Sequence, residues 1–363
     1  MQYQNLPYAD VHRFCIKVFS GYGFTPDECE VITDVLLCSD LFGIESHGIQ
    51  RLIRYHSEIS EGYAKVAAKP VVVHETPISA VIDADKSMGQ VISVHAMKLA
   101  IEKAKSTGIG MVSVRNSNHY GIAGYYAEMA VKEDLMGICM TNSEAIAVPT
   151  FGKRAMLGTN PIALGFPADP VDFLYDAATT VVTRGKVEVY NKNEKPLPDG
   201  WAVDTDGHPS SNAGEIINNI INKLGGGISP LGGSEELHGS HKGYGLGIIV
   251  DIFTGILSSG ATSNHANVTE GLNDIAHFFM AVDYNLFGDK KIIKERFSGF
   301  LQELRESPKA DGKERIYTHG EKESESKKQK MSDGIPIGDK TLAEMKMIAE
   351  SQNIKMDDYF RSL

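Results

Sequence analysis

Residues 89–121 read GQVISVHAMKLAIEKAKSTGIGMVSVRNSNHYG. From Gly89 to Gly108 the apolar residues recur at the helical period, and Gly108 supplies the stop. Ile109 to Val114 is an apolar run that reads as a strand. From Gly121 to Lys132 the pattern is helical again. Gly108-Ile109-Gly110 approaches the glycine fingerprint of dinucleotide sites, but it stands between a helix and a strand. The fingerprint needs the reverse order, so that a helix N-terminus faces the pyrophosphate. Neither GxGxxG nor a phosphate-binding P-loop occurs anywhere in the chain. The segment is therefore α/β without the common βαβ device.

Outward from this stretch the mixture continues. KPVVVHETP (69–77) and SAVIDAD (79–85) read as strands before it. After it, MGICMTN (136–142), NPIALGFPA (160–168), FLYDAATT (173–180), KVEVY (186–190) and AHFFMAVD (276–283) also read as strands. Residues 203–215 form a polar loop, and the glycine-rich run 225–243 a long one that ends at an apolar helix over 244–258. The first 60 residues or so are helical with no strand pattern. Val11, Phe14, Cys15, Val18 and Phe19 make one stripe, and Thr25-Pro26-Asp27-Glu28 has the form of a capping box. A third helix follows Gly48. From Lys290 the pattern is helical to the end, with the charged run Glu321–Lys330 as a solvated connection and a last amphipathic helix over 341–352. The expected architecture is a helical domain made of both chain ends (1–70 plus 290–363), with an α/β domain (71–289) inserted.

The chain has 363 residues, enough for two domains, and its net charge of −11 argues against nucleic acid and acidic membrane surfaces as partners. No apolar run is long enough to span a bilayer, and residues 1–14 lack the features of a signal peptide. Cys15, Cys29, Cys38 and Cys139 form no CxxC pair and no zinc spacing. A reducing cytoplasm is expected.

Ser46-His47-Gly48 with Arg51 puts a hydroxyl, an imidazole and a guanidinium together. If 49–55 is helical, His47 and Arg51 share its mouth. Such a set suits a carboxylate beside a carbonyl or hydroxyl. The Arg51 fork grips the acid, and His47 moves a proton. The competing reading is a polar helix start capped by Ser46. Asn116 to Gly121 lies between a strand and a helix, where backbone N–H groups favour an anion and His119 could face it; a plain polar turn is the alternative. Gly158-Thr159-Asn160-Pro161 offers the Thr159 hydroxyl at a loop apex, or a mere turn into a strand. His241-Lys242 ends the glycine-rich loop, where Lys242 could meet a phosphate. His208, His238, His241 and His265 match no ligand spacing, so no metal site is expected.

Four segments together resemble one family: Asp40-Leu41-Phe42-Gly43 with Ser46-His47-Gly48, Asn118-His119-Tyr120-Gly121, Gly158-Thr159-Asn160-Pro161, and Lys242-Gly243-Tyr244-Gly245-Leu246. In order and spacing they resemble the malate/L-lactate dehydrogenase family of the non-Rossmann type. The resemblance implies an α+β protein with a mixed sheet, and hydride transfer between NAD or NADP (NAD favoured) and a small 2-hydroxy or 2-keto acid. It implies malate/oxaloacetate first, with lactate, sulfolactate and ureidoglycolate as alternatives, and a homodimer. It implies Ser46 and His47 as relay and acid–base pair, Arg51 as clamp, and His119 against nicotinamide and substrate or as the rival base. It puts Ser143 and Thr159 in the same site, Tyr120, Gly121, Asp176, Ala177 and Ala178 at the cofactor, and Arg184, His241 and Lys242 at its ribose and phosphates. Two departures are Asp251, where relatives have Glu, and His319, where they often have Pro. A metal-dependent hydrolase or lyase of hydroxy acids is the reading from another class.

Overall fold

The computed structural model describes residues 3–360. It opens with β1 (Tyr3–Leu6), α1 (Tyr8–Tyr22) and α2 (Pro26–Leu41); two 3-10 turns, Glu45–His47 and Ile49–Arg51, lead into α3 (Leu52–Ser60). Then follow β2 (Val71–Glu75), β3 (Ser79–Asp83), α4 (Gly89–Thr107), β4 (Ile109–Ser117), α5 (Ala123–Val131), β5 (Met136–Thr141), β6 (Ile162–Phe166) and β7 (Phe173–Ala177). Next are α6 (Arg184–Lys192), β8 (Ala202–Val203), α7 (Ala213–Asn222), β9 (Gly227–Ile228) and α8 (Ser240–Asp251), which continues into a π-turn, Ile252–Ile256. The chain closes with β10 (Ile275–Val282), α9 (Lys290–Glu306), α10 (Glu321–Asp333), β11 (Ile335–Gly338) and α11 (Asp339–Ser351).

Seven strands form one mixed sheet in the order β2-β3-β4-β10-β5-β6-β7. Only β3 and β4 run parallel; the other neighbours are antiparallel. The opening stretch explains its own glycines. Gly108 caps α4 in the left-handed region, at φ 91°. At Gly110 a Cβ would sit 1.9 Å from the Ala100 carbonyl, so glycine lets α4 lie directly on β4. The near-fingerprint is a helix stop and a close approach, not a phosphate loop.

One core gathers Val11, Phe14, Cys15, Val18 and Phe19 of α1 with Ile335, Met345, Ile348 and Phe360 from the other chain end. A second lies between the sheet and α4 and α5. A third, smaller one joins Val187, Ile216, Ile220 and Ile228. The helix α9 lays Phe297 against Phe166 and Phe173 of the sheet.

Several expectations change. KVEVY lies inside α6, where Val187 turns to the third core and its charged neighbours to solvent. The first 60 residues do contain a strand: β1 pairs antiparallel with β11, joining the two chain ends. The helix expected after Gly48 opens as the 3-10 turn Ile49–Arg51 and becomes α-helical at Leu52, and Ser46 caps no helix. The charged run 321–330 is helix α10, whose Lys330 Nζ donates to the Asp40 carbonyl at 2.7 Å. The glycine-rich loop ends earlier than expected, since α8 starts at Ser240 and takes in His241 and Lys242. The polar loop expected over 203–215 ends early, since α7 starts at Ala213 and lays Ile216 and Ile220 into the third core. Thr25 does form the capping box with Glu28.

Candidate active site

The turn between α2 and α3 is built around Asp40. This residue is buried, and its Oδ2 accepts the Ile49 N–H at 2.7 Å. Gly48 packs on the same carboxylate so closely that a Cβ would lie 1.9 Å from Oδ1. Burial raises the Asp40 carboxyl to about 7, against the opposing pull of the Ile49 N–H. The turn thus wound presents Ser46 and His47, with Ser46 Oγ 2.9 Å from His47 Nδ1. Arg51 ties back to it, Nε donating to the Ser46 carbonyl at 2.5 Å, which leaves the outer edge of the guanidinium for a carboxylate.

The second half comes from the end of β4. The His119 ring stacks on that of His47, centroids 5.5 Å apart and 25° from parallel. Its Nδ1 lies 2.9 Å from the Tyr55 hydroxyl of α3. The backbone here is pinned from both sides. Gly89 of α4 sits so near that a Cβ would be 2.3 Å from the Asn118 and His119 carbonyls. Asn118 Nδ2 donates to the Lys86 and Ser87 carbonyls at 3.0 and 2.9 Å, and its Oδ1 accepts from Asn273 Nδ2 at 2.8 Å. Asn273 also donates to Glu58 Oε1 at 3.2 Å, and Glu58 in turn accepts from Arg54 Nε at 2.7 Å.

Both imidazoles are held neutral. Burial, then Arg51 and Arg54, lower His47 to about 4. Burial, then Arg54, His47 and Arg51, hold His119 well below the ordinary histidine value. Each ring spends Nδ1 on a hydroxyl, so Nε2 is the nitrogen left to meet a ligand.

Other expected residues gather at the rim. Ser143 Oγ accepts the Thr159 N–H at 3.2 Å, and the Thr159 carbonyl accepts from Thr179 N at 2.9 Å, just past Ala177 and Ala178. Arg184 opens α6 and reaches Glu144, Nη1 to Oε1 3.6 Å. Beneath these loops Asp251 is buried and takes four hydrogen bonds, from Asn142, Asn160 and both the N–H and the hydroxyl of Ser263.

Three further expected groups stand as follows. Asp176 accepts the Gly124 N–H at 2.7 Å, and burial raises it to about 6. It therefore supplies the anion expected at the start of α5. Tyr120 is a core residue, stacked between Tyr126 and His277, and Gly121 shapes the turn at φ 88°. His241 and Lys242 are exposed on the first turn of α8, with no side chain capping it. Sequence reasoning missed Arg54, Tyr55, Glu58, Asn273 and His277. Tyr55 had a signal, four residues beyond Arg51 on α3; Asn273 is distant in sequence and had none. Among the described residues the one group with clustered metal-capable donors is His12, Glu30 and Asp34, where His12 pairs with both carboxylates.

The arrangement sets two neutral, stacked imidazoles beside a guanidinium. A family model described as malate/L-lactate dehydrogenase matches residues 6–346. The chain belongs to the malate/L-lactate dehydrogenase family. It is 44% identical to a malate dehydrogenase of Pyrococcus abyssi, over 97% of this chain and 96% of the relative. It is 34% identical to an L-sulfolactate dehydrogenase of Methanocaldococcus jannaschii, over 96% and 97% of the two chains. The solved malate dehydrogenase of Entamoeba histolytica matches at TM-score 0.93 and 36% identity, covering 98% of this chain and 99% of that one. This family member is accordingly a 2-hydroxy acid dehydrogenase that works with a nicotinamide cofactor, which displaces the hydrolase or lyase reading. No helix among the described residues is long and apolar enough to cross a membrane.

Proposed function

We propose that the chain interconverts malate and oxaloacetate, with NAD ahead of NADP, and that lactate, sulfolactate and ureidoglycolate are the substrates to test against it. The observation that carries the site assignment is the stacked His47–His119 pair beside Arg51. Arg51 fixes the carboxylate next to the reacting carbon. His47, oriented by Ser46, takes the hydroxyl proton at Nε2 in oxidation and returns it in reduction. His119, oriented by Tyr55 and stacked against the His47 ring, is the second candidate for the proton. Burial is the first cause lowering both rings, so geometry puts His47 first: its Ser46 partner stands on the same turn as Arg51. The nicotinamide ring supplies or accepts the hydride when bound. The cofactor fits what the chain offers. Ser143 and Thr159 line the rim, and His241 and Lys242 stand exposed at the uncapped start of α8, where backbone N–H groups and a cation suit a pyrophosphate. Asp176, Ala177 and Ala178 act through backbone placement, the last leading into the Thr179–Thr159 bond. We assign residues 1–70 with 290–363 to a helical domain and 71–289 to the cofactor domain. The exposed Ile248, Ile249, Ile252, Ile256 and Leu257 along α8 and its π-turn suit a homodimer, which light scattering would show as twice the chain mass. Four buried free cysteines suit a reducing cytoplasm.

The test is a panel of keto acids with NADH and NADPH, followed by single-turnover reduction in His47→Ala and His119→Ala. Loss of the acid–base group should slow chemistry by ~10²–10⁴-fold. If both variants keep near-normal single-turnover rates, the assignment is wrong.

A further inference from the structure

We infer that Arg184 recognises the far anionic group of the substrate and so sets a preference for dianionic over monoanionic 2-keto acids. The inference rests on the reaction proposed above and names its substrate class. The entrance of α6 packs across from the histidine turn: a Cβ on Gly185 would stand 3.8 Å from Ser46 Cβ. From the adjoining position Arg184 extends to Glu144, whose neighbour Ser143 holds the Thr159 loop. The Arg184 and Glu188 charges both act on Arg51, so the guanidinium stands on the Arg51 side of the site.

Its present partners are replaceable. Glu188 binds Arg184 Nε at 2.9 Å as an i,i+4 pair, but that carboxylate is 47% exposed, and such surface pairs hold weakly. The Glu144 contact, at 3.6 Å, is longer than a hydrogen bond. Arg54 differs. Its partner Glu58 is only 12% exposed and is also held by Asn273, so Arg54 is anchored. Arg51 is committed through Nε to the Ser46 carbonyl and faces the reacting end. Two forks thus remain for two anionic groups, Arg51 for the carboxylate beside the carbonyl and Arg184 for the second carboxylate or sulfonate. The positive end of α6 adds to the same field. With a monoanionic acid bound, Glu144 and Glu188 keep Arg184 neutralised, and the residue contributes nothing.

The experiment compares kcat/KM for oxaloacetate and for pyruvate, together with KM for NADH, in the wild type, Arg184→Gln and Arg184→Lys. Removing one charge-assisted contact should lower the oxaloacetate value about 10- to 100-fold in Arg184→Gln and leave pyruvate within roughly threefold. KM for NADH should be unchanged, and Arg184→Lys should keep part of the oxaloacetate preference as a point charge. Equal losses on both acids, or a raised KM for NADH with the preference intact, would place Arg184 at the cofactor and overturn the inference. A wild type inert on every keto acid overturns this inference and the proposed reaction together; an active wild type with an indifferent Arg184→Gln overturns this one alone. Thermal melts of both variants separate misfolding from lost recognition.

Discussion

Gly48→Ala tests the turn that carries Ser46 and His47. At φ −87° the Gly48 backbone is open to alanine, so the obstruction is the Asp40 side chain rather than the dihedral. The added Cβ would meet Asp40 Oδ1 at 1.9 Å and Oδ2 at 2.4 Å. The carboxylate cannot step aside cheaply, because it is buried and accepts the Ile49 N–H at 2.7 Å. The Asp40 backbone is fixed as well, by Lys330 of α10. Forcing one methyl into packed space costs about 1–3 kcal/mol, and dropping a hydrogen bond to a charged group about 1.5–3 more. We therefore expect Gly48→Ala to destabilise the protein by about 3–5 kcal/mol at pH values where Asp40 is ionised, a large share of a typical folding free energy. Urea and thermal melts measure this, and single-turnover keto-acid reduction should fall with it as Ser46 and His47 shift. The decisive arm is a double-mutant cycle. Asp40→Ala opens the space, so in that background Gly48→Ala should cost less than about 1 kcal/mol. A Gly48→Ala protein as stable as the wild type, or one whose cost is unchanged in the Asp40→Ala background, would refute the steric argument.

Three further outcomes follow from the same geometry. With His47 lowered to about 4, the acid limb of kcat/KM for malate oxidation should lie near that value in the free enzyme; a limb at the ordinary histidine pKa would remove His47 as the base. Asp40, raised from 3.8 to about 7, binds its proton more tightly in the folded state than in the unfolded one. Its stabilising effect is full below 3.8 and is lost as pH rises to about 7, so the melting temperature of Asp40→Asn should gain on the wild type between about pH 4 and 7 and gain no further above that. Asp251→Ala strips four hydrogen bonds from Asn142, Asn160 and Ser263, and should destabilise by about 3–5 kcal/mol while raising KM through the Thr159 loop; an unchanged melting temperature would contradict the buried network.

Where a signal is local it was legible. The α1 stripe, the Thr25–Glu28 box and the Gly108 stop each depend on residues within a turn or two, and each stands in the structure. KVEVY shows where locality fails. Its alternation is that of a strand, but Val187 alone is claimed by a core, and one buried residue fits a helix face as well. The β1–β11 pair joins segments more than 300 residues apart, so neither short strand announces itself in its own window. In the site, Ser46, His47 and Arg51 were legible because one turn carries all three. Tyr55 looks like a core residue and is one by its ring, while its hydroxyl meets His119.

The start of α5 shows why a residue-by-residue reading had to be corrected rather than discarded. A strand followed by a helix N-terminus offers backbone donors to an anion, and at this one an anion is bound. The anion is the protein's own Asp176, bound to Gly124 N from the neighbouring strand β7. With those donors consumed internally, the helix cannot also hold a ligand at Gly124, and recognition passes to side chains. His119, just before the helix, is left facing His47 across a site whose positive charge comes from guanidinium groups, not from a helix dipole. Burial first, and those same guanidiniums after it, keep both imidazoles unprotonated. In the proposed reaction an acid bound at Arg51 would cancel that guanidinium's share of the field on His47 and make it a better base at the moment the substrate hydroxyl is in place.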